Sequence, residues 1–142
     1  MNKYIELKKE IERRYNEFPF MFAFNNEQFK EGLKKLNAEV NEICSLGAGG
    51  YIRKADIQKF NDLTKWAKNA QKEAIKADAD GSGFIKDMFL YELRNHEYCI
   101  TCDLSDTLRA VGIKFSEVQK DEKLKRGLSL AIKEYKASMV EA

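Results

Sequence analysis

Three stretches of the sequence carry residue types that could bind a metal ion or read DNA, and the first resembles the start of an EF-hand loop. Asp78 and Asp80 fall at positions one and three of such a loop, and Ser82 falls at position five. Position twelve, which should be a bidentate glutamate, is Phe89, and position nine is the cation Lys86. Calcium needs roughly six to eight oxygen ligands. We therefore favour a glycine-rich turn between two helices and keep Asp78, Asp80 and Ser82 as weak calcium candidates.

The second stretch has the spacing of a compact zinc site. His96, Cys99 and Cys102 form an H-x-x-C-x-x-C pattern, and the remaining cysteine is Cys44. A structural zinc ion takes four ligands, whereas a catalytic one keeps three protein ligands and an open position. Free cysteines often serve as small buried apolar residues. His96, Cys99 and Cys102 are thus metal candidates, and we commit to no metal.

The third stretch, near residues 105–120, resembles a helix-turn-helix. Gly112 and the apolar residues around it have the spacing of the turn. The helix that would read bases carries Glu117, Lys120 and Glu122, and its carboxylates would repel phosphates. Our main prediction is therefore that the chain binds no nucleic acid. A nucleic-acid-binding regulator is kept as the alternative function, and a zinc- or calcium-binding module as a further alternative.

No catalytic constellation accompanies these stretches. The chain has a single histidine, and the motifs of the serine hydrolase elbow, the HExxH metalloproteases and the phosphate-binding P-loop do not occur. We predict a protein that is not an enzyme and needs no cofactor.

Hydrophobic periodicity and capping signals predict a mainly α fold. We expect one compact domain over residues 1–142, a bundle of about five to seven helices with a short β-hairpin near residues 43–54. Asn25 followed by Gln28 predicts a capping box at the start of the second helix. The helices are predicted at residues 3–17, 25–37, 56–76, 84–95 and 105–111, with two more opening at Ser116 and Asp121.

The segment from Phe18 to Phe24 holds four of the nine phenylalanines. It is either a core plug between two helices or an apolar surface that binds a partner. The sequence leaves both interpretations open.

Composition excludes several classes of protein. The 142 residues include 25 basic and 23 acidic side chains, a net charge of +2, with 44% hydrophobic and 11% aromatic residues. This is too apolar for a disordered chain and too balanced for a DNA mimic or a basic DNA coat. The three cysteines, the early charges and the absence of a long apolar run predict a cytoplasmic protein without a membrane partner.

Five runs of the sequence resemble an uncharacterised family of small proteins from Gram-positive bacteria, their phages and mobile genetic elements. The runs are FNNEQF at 24–29, GGYIRK at 49–54, GFIKDMFLYEL at 83–93, NHEYC at 95–99 and LRAVG at 108–112.

The resemblance implies an intracellular accessory protein that binds a host protein and inhibits a host defence system such as a CRISPR–Cas nuclease. It supplies no site residues. From residue type and expected partial exposure, the predicted binding residues are Tyr51, Arg53, Trp66, Tyr91 and Arg94.

Overall fold

The computed structural model describes residues 2–96, 98 and 103–141, and these residues form a mainly α fold with one small antiparallel sheet. The predicted fold class and the hairpin near residues 43–54 are confirmed. The helices are α1 (Lys3–Glu17), α2 (Asn26–Leu36), α3 (Ile57–Ala77), α4 (Phe84–Asn95), α5 (Ser105–Val111), α6 (Phe115–Lys120) and α7 (Glu122–Glu141). The strands are β1 (Met21–Phe22), β2 (Ile43–Gly47) and β3 (Gly50–Arg53), and one-turn 3-10 helices cover Val40–Glu42 and Lys54–Asp56.

The chain divides into two compact units. Unit 1 comprises Met1–Lys9 and Asn69–Ala142, and unit 2 comprises Glu10–Lys68. No helix among the described residues is long and apolar enough to cross a membrane.

The core of unit 1 is built around α4. Residues at helical spacing on this helix are fully buried, and α4 packs against α7. The close approach of the two helices depends on Gly127, because a Cβ there would lie 2.2 Å from Cγ2 of Ile85 and 2.8 Å from the Gly81 carbonyl oxygen. The buried α4 side chains include Ile85, Met88, Phe89 and Leu93, and those of α7 include Leu124, Leu128, Ala131 and Tyr135.

Helices α5 and α6 follow the predicted helix-turn-helix outline. Gly112 ends α5 in the left-handed conformation at φ +71°, as expected for a glycine C-cap. Ser116 followed by Gln119 has the spacing of a capping box and predicts the start of α6. This prediction is wrong by two residues: the cap is Lys114, whose N–H the Glu117 side chain accepts at 3.5 Å, and the helix begins at Phe115.

The sheet of unit 2 has the order β1-β3-β2, and both pairings are antiparallel. Met21 and Ala23 are buried with Leu36 in a small core between the sheet and α2. Gly32 of α2 gives room for Met21, whose Cε would lie 2.6 Å from a Cβ at that position.

The predicted cap of α2 is confirmed. The Asn25 side chain accepts the Gln28 N–H at 2.8 Å, and Asn37 ends the helix in the left-handed conformation at φ +51°. Helical spacing also predicts a buried stripe along α3, and this prediction is wrong, because Ile57 is 39% exposed and the other members are half-buried. The predicted stripe is Ile57, Phe60, Leu63, Ala67, Ala70 and Ala74.

Candidate functional site

The most exposed large apolar side chains of unit 2 include two phenylalanines on and beside β1. Phe22 is 64% exposed and Phe24 is 77% exposed, whereas Met21 before them and Ala23 between them are buried. Alternate side chains of an extended chain point to opposite faces. One face of this segment therefore belongs to the core, as the first interpretation predicts, and the other faces solvent; that the exposed face binds a partner stays a prediction.

The two exposed rings lie against the glycines of the β2–β3 turn. A Cβ on Gly49 would fall 2.5 Å from Cε1 of Phe24, and a Cβ on Gly50 would fall 3.4 Å from Cε1 of Phe22. The glycine-rich stretch thus reverses the chain, and because its glycines carry no side chains both rings can pack against its backbone. Any larger residue at position 49 would push the Phe24 ring away.

A cleft with a volume of about 430 Å³ lies between β1 and α2. We call it the β1 cleft. Its ionisable lining groups are one carboxylate and one ammonium, so they carry no net charge. The lining residues are Met21, Phe22, Phe24, Gln28, Glu31, Gly32 and Lys35.

The backbone of β1 bonds to β3 on one side only. Ala23 donates its N–H to the Gly49 carbonyl at 2.9 Å, and Met21 pairs with Tyr51. Backbone groups of successive residues in an antiparallel strand point to opposite sides. The N–H and C=O of Phe22 therefore point away from β3, towards the outer edge of the sheet.

Unit 2 has a second cavity, of about 420 Å³, with a basic lining. Arginine clusters can bind phosphate, but the guanidinium groups here already hold carboxylates. Arg13 bonds to Glu10 and Glu17 at 2.7 Å, and Arg53 bonds to Asp56 at 2.8 Å. Hydrogen bonds from Arg13 and then Arg14 lower the pKa of Glu10 to about 2. The lining residues are Arg13, Arg14, Glu17, Phe18, Pro19, Arg53, Asp56, Lys59 and Leu63.

Three of the five predicted binding residues lie in unit 2, and all three are engaged within the chain. Tyr51 is half-buried, with its ring 5.3 Å from that of Phe29. Trp66 is half-buried beneath the Arg14 guanidinium, which lies 3.8 Å from the ring centroid. Arg53 binds Asp56, as described above.

The other two predicted binding residues lie in unit 1, on α4. Tyr91 is half-buried, and its ring lies 5.5 Å from that of Tyr4 and 5.4 Å from Nζ of Lys8. Arg94 is exposed in the last turn of α4. The five residues are therefore distributed between the two units.

The calcium candidates form a structural turn between α3 and α4. Both carboxylate oxygens of Asp78 accept backbone N–H groups, and Asp80 accepts both the N–H and the hydroxyl of Ser82. Burial by itself raises the pKa of Asp78, but the backbone hydrogen bonds outweigh it and hold the pKa below its usual range. The donors to Asp78 are the N–H groups of Asp80, Gly81, Gly83 and Ile85, at 3.3, 2.9, 3.2 and 3.0 Å.

The zinc candidates fall largely outside the described residues. Cys99 and Cys102 are not among them, and His96 forms a 3.1 Å contact between Nε2 and Oε2 of Glu92. Cys44 is a free, half-buried thiol on β2. Within the ranges 2–96, 98 and 103–141, no three His, Cys, Asp or Glu side chains are grouped so as to hold a metal ion.

The sequence patterns did not single out Glu92, which is buried in unit 1. Its carboxylate accepts the Tyr4 hydroxyl at 3.0 Å and lies 3.6 Å from Nζ of Lys8. Burial, with Glu92 adding to it, raises the pKa of the Tyr4 phenol. This network joins α1 to α4 within the unit. The sequence gave no signal for this network, because Glu92 stands among apolar residues of α4.

Unit 1 also has an apolar groove of about 440 Å³ beside α6. Phe115, which is 52% exposed, is its most exposed large apolar residue. The exposed residues of α6 include Glu117 and Lys120, so the helix offers DNA a face of mixed charge. The remaining lining residues are Leu104, Val118, Gln119, Lys125, Leu128, Ser129 and Ile132.

A family model described as "Family of unknown function (DUF7659)" matches residues 3–134. The chain belongs to this family. No curated protein and no solved structure matches the chain.

The sequence of this DUF7659 chain did contain a signal for the β1 cleft. Between Pro19 and the cap at Asn25, apolar residues alternate in size: Phe20, Phe22 and Phe24 occupy every second position. Continuous apolar character hid this alternation, because nothing in the sequence shows which of the two faces the core covers.

Proposed function

We propose that this DUF7659 chain is a protein-binding module and that the β1 cleft, with Phe22 and Phe24, is its contact surface. The observation that carries the proposal is the pair of exposed phenylalanine rings, one on β1 and one just after it, that lie against the glycines of the β2–β3 turn. Exposed aromatic residues are typical anchors of protein interfaces.

The gain from covering these rings is large enough to matter. Fully burying a phenylalanine contributes about 1.5–3 kcal/mol relative to leaving it exposed. The two rings are exposed by 64% and 77%. A partner that covers both would therefore gain about 2–4 kcal/mol from them.

The resemblance narrows the partner further. We propose an accessory protein of phages or mobile elements of Gram-positive bacteria, acting in the cytoplasm on a host protein, with a component of a defence system such as a CRISPR–Cas nuclease as the specific target. This finer part is supported by the resemblance alone. The cleft supports binding to a protein and names no partner.

Matched variants test the proposal. The intact chain, the double variant Phe22→Ala/Phe24→Ala and the control Phe115→Ala are used to capture partners from host lysate, with circular dichroism confirming that all three are folded. Phe115 is a fair control because it is a comparably exposed phenylalanine in the other unit.

We expect one stoichiometric partner on the intact chain and on the Phe115 control. The double variant should bind that partner about 30-fold more weakly or worse, as a loss of about 2–4 kcal/mol requires. Equal recovery on the double variant would place the contact surface elsewhere. Failure of the intact chain to recover any partner would refute the proposed function itself.

A further inference from the structure

We infer that the β1 cleft takes its partner as an added β-strand: an extended polypeptide segment, apolar and uncharged at its centre, that pairs with Phe22. This inference rests on the proposed function, and it specifies the kind of partner that the cleft recognises.

The first support is the position of β1 in the sheet. With the order β1-β3-β2, β1 is an outer strand and has β3 on one side only. Because Ala23 donates to Gly49 on that side, the N–H and C=O of Phe22 point to the other side. An open strand edge is a template for another strand.

The second support is how little of this edge is open. The N–H groups that would flank that of Phe22 are already used: Phe20 donates to the Phe18 carbonyl at 2.9 Å, and Phe24 donates to Oε1 of Gln28 at 2.8 Å. Phe22 alone is therefore left to pair. In an antiparallel arrangement, one residue of the partner can exchange both hydrogen bonds with it. That arrangement matches an edge of this length.

The third support is the chemistry of the edge. Proteins usually protect an exposed strand edge with lysine, proline or other charged residues. Residues 21–24 are Met, Phe, Ala and Phe, and carry no such protection. Their rings would lie beside side chains of the added strand, where aromatic and apolar cross-strand pairs are favourable.

The charge of the cleft selects among possible segments. Its only ionisable lining groups are Glu31 and Lys35, one helical turn apart on α2, and their charges cancel. A strongly acidic or basic segment gains nothing from this lining. A segment with a neutral apolar centre loses no hydration of charge when it enters, so it is the favoured occupant.

The test removes the Phe22 N–H and leaves its ring in place. Residues 1–43 are synthesised with phenyllactic acid at position 22, which replaces one amide by an ester, and are ligated at Cys44 to the rest of the chain. An ester at position 18 serves as the matched control, because it replaces the same residue type, Phe18 does not line the β1 cleft, and its N–H is already bonded to the Tyr15 carbonyl at 3.1 Å. The probes are short peptides selected from a random displayed library on the intact chain.

We expect selected peptides with alternating apolar residues, and we expect the ester at position 22 to weaken their binding roughly tenfold, the loss of one hydrogen bond with a partner carbonyl left unpaired. The ester at position 18, outside the β1 cleft, should change binding less than twofold by the same reasoning. Equal binding by the position-22 ester and the all-amide chain would overturn the inference.

Two further outcomes would also overturn it. One is that no selected peptide binds the intact chain more tightly than it binds the Phe22→Ala/Phe24→Ala variant. The other is that the chain pairs with a second copy of itself through this edge, seen as a dimer in sedimentation that the ester at position 22 dissociates. If a captured host partner still binds the chain with the ester at position 22 but does not bind the Phe22→Ala/Phe24→Ala variant, the proposed function stands and strand addition is refuted.

Discussion

Replacing Asp78 by alanine removes the acceptor of four backbone hydrogen bonds at the turn between α3 and α4. Two of the four donors, the N–H groups of Gly81 and Ile85, are buried. Each buried donor left without a partner costs about 1–3 kcal/mol. We therefore expect Asp78→Ala to lower the free energy of unfolding by about 2–6 kcal/mol, a large share of the stability of a small protein.

The measurement is urea unfolding followed by circular dichroism near neutral pH, with linear extrapolation to water. Asp80→Ala is the matched control, because Asp80 lies in the same turn and bonds only to exposed groups of Ser82 and, at 3.9 Å, to Arg126. We expect the control to lose less than about 1 kcal/mol. Equal losses in the two variants would refute this account of the turn.

The pH dependence of a second variant at this position, Asp78→Asn, gives an independent check. The folded state holds the pKa of Asp78 below its ordinary value of 3.8, so the stability it contributes is present above that value and is lost as pH falls through the folded-state pKa. The difference in stability between the native chain and Asp78→Asn should stay constant between about pH 8 and pH 5 and shrink below about pH 4. A difference that grows towards low pH would have the wrong sign.

Three other changes have expected outcomes. Gly127→Ala should destabilise the chain by about 1–3 kcal/mol in urea unfolding, because the added methyl overlaps Ile85 and the overlap costs more than the gain in helix propensity returns. Ser129→Ala, at an exposed position of the same helix, is the control. Equal stabilities of the two variants would contradict the packing argument. Arg14→Ala should shift the fluorescence maximum of Trp66, since it removes the guanidinium 3.8 Å from the ring, and cost less than about 1 kcal/mol; an unchanged emission spectrum would contradict the contact. Millimolar calcium should give no heat in a calorimetric titration, because the oxygens of Asp78 are used by backbone donors; saturable heat that Asp78→Asn abolishes would restore the calcium site.

Local signals predicted the helices well, because they depend on near neighbours in the sequence. Helix α2 begins at the predicted capping pair Asn25–Gln28. Helix α5 ends at Gly112, as predicted. Asp121 accepts the N–H groups of Lys123 and Leu124, as its predicted capping role requires. Such signals need no knowledge of tertiary contacts.

The site was less predictable, because exposure depends on residues far away in the sequence. Tyr51, Arg53 and Trp66 have the residue types of anchors, but Phe29, Asp56 and Arg14 already contact them. Phe22 and Phe24 resemble core residues, and only the pairing of β1 with β3 turns their rings outward. The decisive information is the strand register, which the sequence does not state.

The short length of β1 also affects how unit 2 moves. Among the described residues, the backbone of this strand is joined to the hairpin by two residues in register with β3 and by one further bond from Ala23 to Gly49. Segments held by so few backbone bonds open at a small fraction of the global unfolding free energy, and their amides exchange early. A partner strand at Phe22 would add hydrogen bonds on the opposite side of the same residues. Slower amide exchange over residues 20–24 would then report occupancy of the cleft, and the order of this segment would depend on the partner as much as on the chain itself.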